Sequence, residues 1–347
     1  MKNCKVIGVD LAKNSFYLFG LNHQGKPIGR KKFSRTQFLT FFSQQMPAVV
    51  AMEACASAHH WGREIRKLGH DVQLLPPQHV KGYLRGQKND YNDAQAIAEA
   101  SFHGAIRQVS IKNLAQQDEQ SFLQMRRHLS TERTRLINHI RGLMAEYGVV
   151  LPIGSQVLRQ MLPHVLENTE EGLTDYFKQL LRRQQVRLIS LDEELAWYDE
   201  QLKHAVKQDE TCQRLMTLPG FGPVVSYAVK AWMGEGKQYK RGRDASAALG
   251  LVPRQFSTGG REVLLGITKR GDKNLRSLVI HGARAVVSRA KTKTDRLSLW
   301  INHLVLTRGF NKATVALANK LVRIAWVLIA RGETYRTSSS DRLQVTS

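Results

Sequence analysis

The hydrophobic period changes once along this 347-residue chain, and that change constrains the fold more than any other feature. Over the first 110 residues short β-branched apolar runs alternate with helical stretches; beyond them apolar residues recur every three or four positions. Residues 5–9 (KVIGV) form a strand ending at Asp10, residues 16–21 continue toward the turn signal His23-Gln24-Gly25-Lys26, and 31–33 return as the third strand of a meander. Residues 36–45 read as helix, 48–52 (AVVAM) as a buried strand ending at Glu53, 60–68 as a helix stopped by Gly69, and 72–75 as a strand closed by Pro76-Pro77. With an alanine-rich helix over 93–102 the order is βββαβαβα, an α/β domain.

The middle of the chain is helical by period. Met125, Leu129, Leu136, Ile140, Leu143 and Tyr147 form one apolar seam, and Leu181, Leu188, Leu191, Leu195, Tyr198 and Leu202 form another. Two antiparallel helices around a break at 148–154 follow, a coiled-coil segment packed on itself or on a second protomer; an ordinary helical subdomain fits the same pattern. The last third is mainly α, with helix candidates at 245–249, 274–287 and 312–329, and residues 337–347 read as a frayed tail. The expected domains are 1–110, 111–207 and 208–347.

Charge divides along the same lines. Lys and Arg number 52 against 29 Asp and Glu, a net +23. Residues 1–110 carry 15 basic and 7 acidic side chains (+8), 111–207 carry 13 of each, and 208–347 carry 24 and 9 (+15). Two basic ends around a neutral connector point to a polyanionic partner, and the clustering of cations between Arg254 and Lys293 favours nucleic acid over general solubility. Cys4, Cys55 and Cys212 are too far apart for a disulfide framework or a zinc knuckle, which suits a reducing cytoplasm. Asp10 stands too early for a secretory apolar core. The apolar stretch 315–330 is interrupted by Lys320 and Arg323, so it reads as a buried or amphipathic helix and no membrane partner is expected.

Three constellations carry chemistry. Asp10 and Glu53 end strands that would lie parallel, and crevices at the carboxyl ends of such strands hold ligands. Asp90 and Asp93, three residues apart, share a helix face. Four carboxylates converging there would suit Mg²⁺ or Mn²⁺ and two-metal phosphoryl transfer. Taken singly, Asp10 could cap a turn, Glu53 could pair with Arg63 or Arg66, and Asp90 or Asp93 could cap the helix. The second constellation is Leu218-Pro219-Gly220-Phe221-Gly222-Pro223, a helix-hairpin-helix-like turn in which Gly220 and Gly222 would admit a phosphate to a helix N-terminus, or else a tight turn between packed helices. The third is the loop Arg254-Gln255-Phe256-Ser257-Thr258-Gly259-Gly260-Arg261, followed by Lys269, Arg270 and Arg276. Its hydroxyls could attack a phosphodiester among neutralising cations, or the loop could simply grip phosphate.

The runs VIGVDLAK (6–13), MEA (52–54), KNDYNDA (88–94), LPGFG (218–222), GLVPR (250–254) through STGG (257–260), and TKRGD (268–272) together resemble the DEDD transposases of the insertion sequence one-ten family, most closely its eleven-eleven group, with Piv-type DNA invertases as relatives. The resemblance covers nearly the whole chain, in the family's order. It implies a RuvC-like (RNase H-like) N-terminal domain using Asp10, Glu53, Asp90 and Asp93 with Mg²⁺, a coiled-coil linker, and a helical transposase domain bearing a nucleophilic serine. It also implies recombination of donor and target double-stranded DNA directed by a structured noncoding guide RNA, through a covalent seryl-DNA link, by dimers that join into a synaptic tetramer. Arg254, Thr258, Arg261, Lys269, Arg270 and Arg276 would then line the nucleic-acid surface, with Gly220 and Gly222. In the one-ten branch the nucleophile directly precedes a glycine, where this chain has Thr258. The related group often has Ser-Ser or Ser-Thr before Gly-Gly, so Ser257 is the expected nucleophile. The competing reading is a Mg²⁺-dependent, junction-resolvase-like nuclease in which water attacks.

Overall fold

The computed structural model describes residues 1, 3–87, 89–103, 106–168 and 172–335, arranged in two compact units, Met1–Ala115 and Gln116–Ser347. The expected tail at 337–347 lies outside the described residues.

The first unit is built on β1 (Val6–Leu11), β2 (Ser15–Leu21), β3 (Pro27–Ser34), β4 (Val49–Glu53) and β5 (Asp71–Leu75), in the spatial order β3-β2-β1-β4-β5. The meander β1-β2-β3 is antiparallel, while β4 runs parallel to β1, as the sequence reading expected, and β5 runs parallel to β4. Alternate residues of each strand serve opposite faces. Ile7, Val9, Val50 and Met52 pack beneath α1 (Phe38–Ser43) and α2 (Ala58–Lys67), around the rings of Phe16, Phe38, Phe42 and Trp61. Val6, Phe19, Ala51 and Leu75 face α3 (Pro77–Val80) and α4 (Asp90–Phe102). Two details differ from the sequence reading. The third strand is eight residues long instead of three, because an exposed edge strand shows little apolar alternation. Helix α4 begins at Asp90, three residues early, because Asn89 caps it, its Oδ1 accepting the Asn92 amide at 2.9 Å.

The second unit opens with α5 (Leu114–Glu146), α6 (Ser155–Glu167) and α7 (Asp175–Gln208). Arg126 pairs with Asp199 (2.6 Å), Arg133 with Asp192 (3.3 Å) and Tyr147 stacks on Phe177, so α5 and α7 run antiparallel. The expected seam positions Leu129, Leu136, Ile140, Leu181, Leu188, Leu191 and Leu195 are buried between them; Met125 is exposed. The sequence reading missed α6, whose Leu158, Leu162, Val165 and Leu166 complete the same core. Its apolar period is only three turns long and is interrupted by Pro163. Arg159 fixes it to α7 through both oxygens of Asp192, at 2.5 and 2.7 Å.

The rest of this unit comprises α8 (Glu210–Met216), α9 (Pro223–Met233), α10 (Gly242–Ala248), the hairpin β6 (Pro253–Gln255) and β7 (Leu264–Ile267), α11 (Lys273–Arg289), α12 (Arg296–Arg308) and α13 (Phe310–Ala330). Helix α13 is long and apolar enough to cross a membrane, yet Leu317, Ala318, Leu321, Val322 and Ala325 are buried against α8 to α12, the packing of a core helix. That agrees with the interrupted apolar stretch in the sequence.

Candidate active site

Asp10 is the penultimate residue of β1, which runs one residue past the expected end, and lies on the face covered by α4, sharing parity with Val6 and Gly8. Gly8 is where α4 touches down. A Cβ there would stand 2.3 Å from the Ala94 carbonyl oxygen and 2.5 Å from the Ala98 nitrogen. The bare glycine therefore lets the alanine-lined face of α4 rest on the strand, and the first turn of α4 arrives above Asp10. As a result, ligand oxygens of Asp10, Asp90 and Asp93 all lie within 4.8 Å of one another. Asn89 takes the capping role that sequence reading allowed to either aspartate, which leaves both carboxylates to the cluster.

Glu53 ends β4 on the same face, one step beyond the paired residues Val9 and Met52. It does not come within 4.8 Å of all three aspartates, but it feels two of them: burial, then the charges of Asp10 and Asp93, push its carboxyl above the usual carboxylate range, against a smaller opposing pull from Lys81. The alternative partners offered by the sequence are engaged elsewhere. Arg63 donates to the Lys112 carbonyl at 2.7 Å and Arg66 to the Val72 carbonyl at 3.3 Å. Close carboxylates resist joint ionisation unless a cation neutralises them. An all-oxygen set of this kind fits Mg²⁺ or Mn²⁺, and a softer metal would find no thiolate or imidazole in the set. His59, read as outside the metal set, accepts the Lys112 amide on Nδ1 at 3.2 Å; burial, then Lys112 and Arg63, hold its pKa down to about 4.

The C-terminal constellations have a different character. At the 218–223 turn Leu218 and Phe221 are buried, and Gly220, at φ 81°, meets Gly282 of α11: a Cβ on it would lie 2.5 Å from the Gly282 carbonyl oxygen. Close helix packing thus accounts for Gly220, as the tight-turn reading had it. A Cβ on Gly222 would enter open space beside the N-terminus of α9.

The serine loop is the tip of the β6–β7 hairpin. Thr258 and Arg261 exchange backbone hydrogen bonds (3.3 and 3.0 Å), with Gly259 and Gly260 both at positive φ, 56° and 77°, between them. That is the type I′ geometry glycine permits at both central positions. Ser257 is exposed and its Oγ accepts from Gln255 Nε2 at 3.0 Å. Arg254, Thr258, Arg261, Lys269 and Arg270 are exposed around it, as the sequence suggested, while Phe256 and Leu264 are 70% and 64% exposed. Arg276 requires correction as a surface contact. It is 7% exposed and donates to the carbonyls of Leu249 (3.1 Å) and Arg270 (2.7 Å), so it holds the base of the hairpin from inside.

Sequence reasoning missed Gly8, Asn89 and Gly282. Gly8 stood in the quoted run VIGVD, but only the crossing of α4 gives it a function; Asn89 carried a signal, an Asx residue one position before a helix.

The family model described as "Transposase" (DEDD_Tnp_IS110) matches residues 7–149, and the model described as "Transposase IS116/IS110/IS902 family" matches residues 212–298. The chain is 45% identical to the transposase for insertion sequence element IS1111A of Coxiella burnetii, over 97% of this chain and 92% of that one. It is 42% identical to a probable family 20 transposase of Pseudomonas aeruginosa (96% and 99%) and 39% identical to the transposase for insertion sequence element IS1328 of Yersinia enterocolitica (96% and 99%).

Proposed function

The chain belongs to the IS116/IS110/IS902 family of transposases, enzymes of DNA transposition, and from that membership we propose how it cuts and rejoins DNA. Asp10, Asp90 and Asp93, with Glu53 beside them, hold Mg²⁺ or Mn²⁺ in a RuvC-like N-terminal unit. Bound there, the ion supplies charge neutralisation and Lewis-acid activation of a phosphodiester. Ser257 is the nucleophile: its Oγ gives up its proton and bonds to phosphorus, the sugar oxygen leaves and takes up a proton, and a seryl-DNA phosphodiester remains. Because one phosphodiester replaces another, rejoining needs no ATP. Arg254, Arg261, Lys269 and Arg270 stabilise the phosphoryl charge, Thr258 and the open Gly222 end of the 218–223 turn contact the backbone, and Arg276 positions the hairpin.

The proposal extends to segments 1–110, 111–207 and 208–347 as metal, connecting and serine modules, with self-association as a dimer and a synaptic tetramer through the outer surface of the paired helices α5 and α7, whose seams are taken up within the chain. It also includes a structured guide RNA pairing with donor and target DNA in the cytoplasm, at the nucleoid, and kinship with Piv-type invertases. The charge distribution supports such partners, since the segment 208–347 that carries the serine loop has a net charge of +15.

The observation that carries this reading is the meeting of Asp10, Asp90 and Asp93. The test is a denaturing gel of the protein incubated with element-end DNA, its flanking transcript and Mg²⁺. A DNA-linked species that withstands denaturant is expected; Ser257→Ala abolishes it, Thr258→Ala does not, and Asp10→Ala abolishes cleavage altogether. Cut ends without any linked species would establish hydrolysis by water instead, the resolvase-like reading.

A further inference from the structure

The α4-facing side of the sheet continues past the carboxylates toward its β3 edge, and its side chains change character in order. Asp10 pairs with Tyr17 across β1–β2, and Tyr17 pairs with Lys32 across β2–β3. Gly8, Phe19 and Arg30 form the next row of the same parity. Directly paired residues share a face, so Asp10, Tyr17, Lys32 and Arg30 stand on one side of the sheet. Tyr91, the residue after Asp90, meets Tyr17 edge to face at 5.0 Å. The Arg30 guanidinium lies 5.0 Å from the Tyr91 ring centroid, and Lys32 Nζ lies 5.1 Å from that of Tyr17. Both rings are half-buried and both cations exposed. Two strand spacings, about 10 Å, thus lead from three carboxylates through two tyrosines to two cations.

Lysines on an edge strand also deter sheet-to-sheet aggregation. That purpose would be met by cations on either face. Here they stand over the two rings flanking the acid cluster, and among the described residues neither Arg30 nor Lys32 is committed to an ion pair. Aromatic rings beside exposed cations, of which Lys32 is also hydrogen-bonded to Tyr17, suit an unpaired nucleic-acid strand, bases or sugars on the rings and phosphates on the cations.

We propose that Tyr17, Tyr91, Arg30 and Lys32 form a binding track for an unpaired DNA strand, holding the nucleotides next to the phosphodiester at the carboxylates. The proposal rests on the reading of that cluster as the place where DNA is cut. DNA is the occupant argued for, because the chain is a DNA transposase and the row is complementary in charge to phosphate.

The test uses the full chain in EDTA with a single-stranded DNA oligonucleotide carrying 5-iodouracil, which photo-crosslinks to aromatic side chains in contact with it. Peptide mapping is expected to find adducts on Tyr17 or Tyr91. Arg30→Ala with Lys32→Ala should lower their yield at least about fivefold while adducts within residues 208–335 persist, since each lost phosphate contact weakens strand binding. Tyr17→Phe, which keeps the ring, should retain the Tyr91 adduct, and unchanged thermal melting of each variant shows that it is folded. Adducts confined to other regions, or a higher yield at these tyrosines with the matching RNA, would overturn the proposal. Asp10→Asn separates the two ideas: cleavage lost with the tyrosine adducts present supports both; cleavage retained with the adducts present removes the metal reading and keeps the track; cleavage lost with the adducts absent in wild type removes the track alone.

Discussion

The carboxylate cluster and the serine hairpin carry the two halves of the proposed chemistry, and they are built in opposite ways. The cluster sits on a sheet packed on both faces, and its geometry depends on one helix resting on one glycine. The hairpin has almost every residue exposed and is shaped by backbone hydrogen bonds and a Gly-Gly turn. Two-stranded ribbons are marginal by themselves in water, and Phe256 and Leu264 remain uncovered. The first region is organised before substrate arrives. The second stands exposed, with Arg276 anchoring its base through the carbonyls of Leu249 and Arg270.

This contrast can be broken by substitution, beginning where the effect is greatest. Asp93→Ala should lower strand cleavage at least about a thousandfold while leaving the metal-free protein as stable as before or slightly more so, because it removes a like charge from the cluster. Mg²⁺ should raise the melting temperature of the wild type and not of the variant; an equal rise in both would place the ion elsewhere. Gly8→Ala should destabilise the first unit by about 2 to 4 kcal/mol, since the new Cβ meets backbone atoms that cannot yield without moving α4. A urea midpoint indistinguishable from wild type would show that α4 is not seated on β1.

The third test concerns pH. The folded pKa of His59 is held near 4, below its unfolded value near 6.5, so the stability it contributes is complete above about 6.5 and lost as pH falls through about 4. Lowering pH from 7.5 to 4.5 should therefore cost the wild type roughly 1 to 2 kcal/mol more than His59→Asn, which keeps an acceptor for the Lys112 amide without titrating. Identical acid sensitivity in the two proteins would mean that the imidazole does not hold that amide. The smallest effect belongs to the hairpin. Gly260→Ala should cost about 1 kcal/mol or less by forcing a Cβ into a left-handed position, and should change adduct formation by Ser257 more than it changes global unfolding. A large loss of global stability there would show that the hairpin is part of the core after all.

Much of this was legible in the chain. The strand runs ending at Asp10 and Glu53, the parallel neighbour of β1, the three-residue spacing of Asp90 and Asp93 and the seams of α5 and α7 all follow from periods that local sequence carries. What escaped was set by distant partners. Helix α6 was obscured by Pro163 and a short period; Arg276 looked like one more cation in a basic run until the carbonyls of Leu249 and Arg270 enclosed it. Gly220 looked available to a phosphate until Gly282 filled the space beside it.

The order of residues therefore determined which side chains could reach a common edge, because strand parity and helical spacing are local properties of the backbone. It also determined the charge that selects a polyanion. Which carboxylates meet, and which cations stay outside, was decided in three dimensions. A contact such as Gly8 against Ala94 and Ala98 exists only after the sheet and helix have formed, and its geometry is written in the space between residues remote in the chain.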